Sequence, residues 1–194
     1  QHDHIDVIKR NGRNLNALVE DMLDFSRMST DQLKLDKSEF EIHSLLDSVI
    51  ESLEPTAEQR SQTLVIELHT APVWISADHG RIIQILSNLI TNSCKYSPPS
   101  TRITVKVDSE DEKLILVVSD HGIGIPQENL TEIFSPFFRT SHTEVREEIG
   151  TGLGLAITKT LVDLHGGNIK AESKLNVGTD ITVVLPGALP KPSE

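Results

Sequence analysis

The 194-residue chain has little cysteine, few aromatic residues and a shortage of positive charge. Its one cysteine, Cys94, excludes a disulfide framework within the chain. No run of about 20 apolar residues is present to span a bilayer, and the polar start is no signal peptide. Lys and Arg number 18 against 29 Asp and Glu, a net charge of −11. We therefore expect neither nucleic-acid binding nor membrane contact, but binding of a small anionic ligand is not excluded.

Ile, Leu and Val are frequent, and hydrophobic residues make up 37% of the chain, which predicts a folded protein. The length fits one ordinary domain plus an additional segment. The missing initiator Met predicts a piece of a longer protein. We predict four parts in chain order: a helix over 1–28, a linker over 29–37, a domain over 38–187 and a loose tail over 188–194.

The N-terminal segment has apolar or small residues spaced alternately by three and four, which is a heptad seam. The seam consists of Ile5, Ile8, Gly12, Leu15, Val19 and Met22. A lone helix of this length leaves such a stripe uncovered. We expect its partner to be another chain, an upstream helix, or both; the alternative is packing against its own domain.

Helical and alternating patterns are interspersed along the remainder of the chain. Helices are predicted over 43–60, 78–96 and 153–165, and strands over 39–42, 63–69, 73–75, 102–107, 113–119, 168–173 and 180–185. This order predicts an α+β fold in which the helices lie on one face of a sheet.

Two familiar phosphate-binding folds are excluded by the glycine pattern. No glycine precedes a lysine, so the Walker motif is absent. The dinucleotide fingerprint also fails, because Gly122-Ile-Gly124 continues to Gln127 where its third glycine belongs.

Four other blocks occur in a fixed order, at 88–96 on a helix, 120–126 after a strand, 133–139, and 150–156 opening a helix. They resemble the N, G1, F and G2 boxes of the sensor histidine kinase catalytic domain, whose superfamily includes DNA gyrase, a heat-shock chaperone and a mismatch-repair ATPase. The resemblance covers about residues 37–187. It implies a Bergerat-type ATP fold, a two-layer sandwich of a mixed, mostly antiparallel sheet on three helices. The first 28 residues resemble the second helix of the family's dimerisation and phosphotransfer hairpin, a bundle helix.

The first block has Asn88, Asn92 and Lys95 at spacings of four and three, so they share one helix face. Alone, this pattern also suits the solvated side of an amphipathic helix. The resemblance assigns Asn92 to Mg²⁺, Lys95 to phosphate and Tyr96 to packing near the nucleotide. Related hydrolases carry a water-activating glutamate at Asn88, and an amide accepts no proton. The resemblance thus implies transfer, with Asn88 and Lys95 as catalytic residues, rather than hydrolysis.

The second block follows an apolar strand over 114–118. The resemblance implies that Asp120 accepts a hydrogen bond from the adenine amine, with Ile125 also at the nucleotide. Gly122 and Gly124 are then expected to let the backbone approach the base without a Cβ clash. The alternative is an ordinary Asp-Gly turn.

The third and fourth blocks flank a polar segment, 139–149, that the resemblance identifies as a mobile lid. Glycines and a helix start are expected to bring backbone N–H groups to the phosphates. Ile149 stands where many relatives have another glycine. The alternative interpretation of the phenylalanines is that they belong to the ordinary hydrophobic core. The implied nucleotide contacts are Phe134, Phe138, Arg139, Gly150, Thr151, Gly152, Leu153 and Gly154.

None of the eight histidines lies in the family's acceptor motif, so the acceptor is expected on an absent upstream helix. The resemblance implies Mg-ATP-dependent phosphoryl transfer to that histidine in two-component signalling, without labelling of this fragment alone. Implied partners are a response regulator receiver domain and a second copy joined through the hairpin, in the cytoplasm. Two alternatives are a nucleotide-gated binding module without transferase activity and an anti-sigma-type serine kinase, which the N-terminal helix disfavours.

Overall fold

A computed structural model of the chain describes residues 33–139 and 151–189 and, ahead of these, only Gly12, Val19, Met22, Leu23 and Ser26. Those five residues are helical, as the N-terminal heptad pattern predicts. The apolar side chains of Val19, Met22 and Leu23 are exposed. The predicted lid beyond Arg139, Gly150 and the last five residues lie outside the described residues.

The two long described ranges contain eight strands, three helices and one 3₁₀ turn. They are β1 Lys37–Glu41, α1 Ile42–Glu58, β2 Thr63–Leu68, β3 Trp74–Asp78, α2 His79–Tyr96, β4 Arg102–Glu110, β5 Lys113–Asp120, a 3₁₀ turn Gln127–Asn129, α3 Gly154–Leu164, β6 Asn168–Lys174, β7 Gly178–Pro186 and β8 Ala188–Leu189. The three predicted helices are confirmed, with ends shifted by at most two residues. Within the part of the chain that is described, no helix combines the length and apolar content needed to cross a membrane.

The main sheet has five strands in the order β2-β4-β5-β7-β6. Only β2 and β4 run parallel, and the other neighbours are antiparallel, so the predicted mixed, mostly antiparallel sheet is confirmed. Alternate residues of β5, namely Leu114, Leu116 and Val118, are buried on one face. The helices α2 and α3 pack on each other and against this sheet.

A second sheet, β1-β3-β8, corrects the expectation of a single sheet. It also corrects the first two residues of the predicted loose tail over 188–194, because Ala188 and Leu189 pair with Ile75 and Trp74. The left-handed backbone of Gly187 (φ +90°) turns the chain toward β3. Ala188 is buried there, and burial of its methyl group helps to hold this short strand in place.

The buried His165 fastens the end of α3 to the start of α2. Its Nδ1 donates to Leu161 O at 2.7 Å, and its Nε2 accepts from Asp78 N at 3.1 Å. Asp78 is also the N-cap of α2, accepting from Arg81 N at 3.1 Å. His165 therefore has a structural role.

This arrangement predicts that the domain loses stability in mild acid. Burial lowers the pKa of His165, so as the pH falls the histidine is protonated in the unfolded chain before it is protonated in the folded domain. Protonated Nε2 could no longer accept from Asp78 N. The contribution of His165 to the free energy of unfolding is then complete above about pH 6.5, the ordinary pKa of histidine. It decreases as the pH falls from there toward the lowered pKa. Urea unfolding at about pH 7.5 and pH 5.5 measures this. Equal pH dependence in the wild type and His165→Gln would contradict the prediction.

Candidate functional site

Helix α2 carries the polar face of the first block. Asn88, Asn92, Lys95 and Tyr96 are half-buried. The opposite side of the helix is packed into the core, so this face is the one a ligand can reach. The ammonium of Lys95 lies 5.0 Å from the centroid of the Tyr96 ring, a cation–π distance. The second half of α2 thus presents two amides and a cation side by side.

A network of hydrogen bonds fixes the carboxylate of Asp120 where β5 ends. Its Oδ1 accepts from Gly122 N at 2.9 Å and from Thr179 N at 3.2 Å. Its Oδ2 accepts from Ser93 Oγ at 3.2 Å. Burial raises the pKa of Asp120, and these three hydrogen bonds oppose that rise because they favour the charged form. The result is an oriented acceptor that suits an N–H donor of a ligand.

Glycines are required around Asp120 because the protein's own backbone comes too close for a side chain. A Cβ at Gly122 would lie 2.4 Å from Tyr96 O. One at Gly124 would lie 2.2 Å from Lys174 O, and one at Gly178 would lie 2.0 Å from Asp120 O. The expected reason for Gly122 and Gly124, room for a base, is therefore incomplete, since internal packing alone demands them.

The loop after Asp120 is tied to two other elements. Ile123 N donates to Tyr96 O at 3.2 Å, which joins the loop to the end of α2. Asn176 N donates to Ile123 O at 2.8 Å, and Ile125 N donates to Ser173 Oγ at 2.8 Å. Both of these partners belong to the β6–β7 hairpin. The first and second blocks are thus held in one rigid corner.

Asn88 connects the first block to the fourth. Its Nδ2 donates to Gly154 O at 3.3 Å and lies 3.5 Å from Thr158 Oγ1. The fully buried Thr158 in turn donates to Gly154 O at 2.9 Å. The NH₂ end of the Asn88 amide is therefore directed at the first turn of α3.

The beginning of α3 is suited to an anion. Leu153 is its N-cap residue, and the apolar Leu153 side chain makes no capping hydrogen bond to the first turn. Leu153 N itself donates to Thr151 Oγ1 at 3.0 Å. Amides of the first turn of a helix lack intrahelical partners and lie at the positive end of its dipole. This terminus is therefore a suitable place for phosphate oxygens.

The third and fourth blocks meet at the base of the predicted lid. Phe137 N donates to Gly152 O at 2.9 Å, and Phe137 has a left-handed backbone (φ +63°). A Cβ at Gly152 would lie 2.9 Å from the carbonyl carbon of Phe137. The two segments that flank residues 140–150 are therefore joined directly by a hydrogen bond.

The other predicted residues of the third block differ in burial. Phe134 packs partly against the core, as the alternative interpretation of the phenylalanines expects. Phe138 is half-buried and Arg139 is exposed, both next to the junction with Gly152. Their predicted contact with a nucleotide stays a prediction.

The chain matches one protein family and several curated sensor kinases. Residues 77–189 match the profile of the family described as histidine kinase-, DNA gyrase B-, and HSP90-like ATPase. The sensor histidine kinase WalK of Bacillus subtilis (strain 168) is 36% identical over 171 residues, which cover 87% of this chain and 28% of that protein. The chain spans only 22% to 31% of the length of such curated relatives.

Solved structures show the same fold. Full-length ShkA in complex with AMPPNP superposes with a TM-score of 0.85 at 27% identity, covering 98% of this chain and 39% of ShkA. The histidine kinase ThkA in complex with the response regulator TrrA gives a TM-score of 0.74 at 25% identity, covering 95% of this chain and 50% of ThkA. Because the profile spans more than half of the chain and the four blocks meet in space, the chain belongs to the histidine kinase-, DNA gyrase B- and HSP90-like ATPase family and is of the sensor histidine kinase type.

Proposed function

We propose that this chain binds Mg-ATP and transfers the γ-phosphoryl group to a histidine on a helix hairpin outside it. One observation carries the proposal: the oriented Asp120 carboxylate and the uncapped start of α3 both contact α2, through Ser93 and Asn88 respectively. An acceptor for a base, a cation and a phosphate-binding helix terminus are the groups that ATP requires.

The hydrogen bonds of Asp120 support a preference for ATP over GTP. Its Oδ1 is occupied by two backbone donors, and Oδ2 receives one hydroxyl, which leaves acceptor capacity on Oδ2. The exocyclic amine of adenine donates to such an oxygen, whereas guanine carries a carbonyl at that position and would be repelled.

The phosphates and Mg²⁺ would lie between α2 and α3. Lys95 would supply a cation, and Gly152 and Gly154 would supply backbone N–H groups. The amide oxygen of Asn92 is a hard donor of the kind that Mg²⁺ takes, along with waters and substrate phosphates. The described residues include no cluster of three His, Cys, Asp or Glu that would form an all-protein metal site. Bound Mg²⁺ would neutralise charge on the β- and γ-phosphates.

The chemistry of Asn88 favours transfer over hydrolysis. Its NH₂ group is directed at Gly154 O, and an amide does not take a proton. Asn88 therefore cannot act as a general base for water. An imidazole needs none, because its neutral nitrogen attacks directly. A nucleotide-gated binding module would make the same nucleotide contacts and would differ only in lacking the transfer.

The proposal includes two partners. ThkA is solved with a response regulator, which supports a receiver domain as the next phosphoryl acceptor. The exposed Val19, Met22 and Leu23 support association of the N-terminal helix with a second copy and an upstream hairpin helix. The reaction would take place in the cytoplasm, where ATP is available.

Radiolabelled ATP tests the proposal. The chain alone is expected to bind Mg-ATP without becoming labelled. With a separate hairpin that carries the acceptor histidine, it should give the hairpin an acid-labile label. Asn92→Ala should abolish this labelling, whereas Asn168→Ala, an exposed position at the start of β6, should not. Acid-labile labelling of the chain alone would instead identify one of its own histidines as an acceptor, and binding without any transfer would support the binding module.

A further inference from the structure

The side chain of Gln62 lies against the end of α2, although the two are 32 or more residues apart in sequence. Gln62 precedes β2 and is only 5% exposed. Its Nε2 donates to Cys94 O at 2.9 Å and to Ser97 O at 2.8 Å, and lies 3.4 Å from Pro98 O. Carbonyls at a helix end have no intrahelical partner, and this amide supplies one.

These contacts determine the orientation of the amide. The opposite orientation would place Oε1 against carbonyl oxygens, so Nε2 must face them. Oε1 is then buried with no hydrogen-bond partner among the described residues, which is energetically unfavourable. An apolar side chain would avoid that penalty but would leave the α2 carbonyls unpaired. The fold therefore retains an amide here for its donors.

The end of α2 that Gln62 holds is part of the candidate site. Tyr96 O accepts from Ile123 N at 3.2 Å in the loop after Asp120. Lys95 O accepts from Arg60 Nη1 at 3.4 Å, so the segment before β2 binds this turn twice. A shift of the turn would move Lys95 and would also change the contact between Tyr96 and the loop.

We propose that Gln62 is a positioning residue for the nucleotide site. Its amide fixes the last turn of α2 so that Asn92 and Lys95 on one side, and the Gly122 loop on the other, keep a geometry that accepts the nucleotide. Gln62 acts through the helix, because its donors are used by backbone carbonyls. The inference rests on the proposed function, in that the affinity it controls is that for Mg-ATP.

Titration calorimetry of the whole chain with Mg-AMPPNP tests this role. Gln62→Met keeps the length of the side chain and removes the donors, and should weaken binding about tenfold. Gln62→Glu keeps the shape but sets carboxylate oxygens against carbonyls, and should weaken it further. Val49→Ala, which shortens a buried apolar side chain on α1, serves as the control. It should lower the unfolding temperature at least as much as Gln62→Met and leave the affinity unchanged.

Unchanged affinity in Gln62→Met would overturn the proposal, as would an equal loss in Val49→Ala. Hydrogen exchange at the Ile123 amide provides a second test without ligand. It should accelerate in Gln62→Met and not in Val49→Ala, because its acceptor is Tyr96 O. Should the wild type bind no nucleotide, the proposed function fails, while this exchange measurement still decides whether Gln62 positions the turn.

Discussion

Asp120→Asn is expected to remove most ATP binding while the fold survives. Two backbone donors, Gly122 N and Thr179 N, hold Oδ1, so the amide oxygen of the variant must occupy that place. The NH₂ group then replaces Oδ2, where Ser93 Oγ can turn and act as its acceptor. The ligand amine would now meet a donor instead of an acceptor. The expected loss is about 2 kcal/mol or more, roughly thirtyfold in affinity.

The same substitution should not lower the stability of the domain much. Burial raises the pKa of Asp120, which means that the charged form is disfavoured by its surroundings. Replacing the charge with a neutral amide removes that penalty and retains the backbone hydrogen bonds. Calorimetry with Mg-ATP and thermal unfolding measure the two effects separately. Asp180→Asn, an exposed neighbour on β7, is the control and should bind normally. Normal affinity in Asp120→Asn would remove Asp120 from the site.

The groups that the sequence predicts well are those defined by short-range spacing. Asn88, Asn92 and Lys95 need only one helix to share a face, and Asp120 needs only a strand that ends before it. Gly152 and Gly154 likewise lie next to a predicted helix start. The structure accordingly finds the blocks in contact with one another.

The groups that the sequence does not reveal depend on strand register. Thr179 reaches Asp120 because β5 and β7 pair with these two residues opposite each other. Ser173 reaches Ile125 N from β6. Gln62 reaches α2 across a stretch that includes two strands. Register is set by the whole hydrophobic pattern and the turns, so no local signal marks these residues.

Turn chemistry explains two further differences from the predicted elements. The predicted strands 102–107 and 113–119 leave the acidic stretch 108–112 between them, but only Asp111 and Glu112 turn, both with left-handed backbones. Two such residues match the twist of a tight hairpin, so β4 and β5 extend around them. The pairing of β8 with β3 depends on a left-handed Gly187, which composition alone does not distinguish from a loose, Pro-rich tail.

Gly122→Ala is expected to disrupt the site more severely than Asp120→Asn, although it adds a single methyl group. The new Cβ would lie 2.4 Å from Tyr96 O and 2.9 Å from Asp120 Oδ1. Tyr96 O is backbone at the end of α2, so it does not move aside like a flexible side chain. The loop must shift, which breaks the hydrogen bonds of Gly122 N to Asp120 and of Ile123 N to Tyr96. We expect about 1–3 kcal/mol of lost stability and roughly a hundredfold loss of ATP affinity.

Gly80→Ala is the matched control for this substitution. Gly80 lies in the first turn of α2, and a Cβ there would meet only Asp78 Oδ1 at an ordinary 3.6 Å. Alanine is favoured over glycine in a helix, so this variant should gain about 0.5–1 kcal/mol and bind ATP normally. Thermal unfolding and calorimetry on the pair separate the effect of an added methyl group from the effect of its position. Normal affinity in Gly122→Ala would mean that the loop moves without cost, and the rigid corner formed by Tyr96, Asp120 and Gly122 would then not be the part of the fold that holds the base.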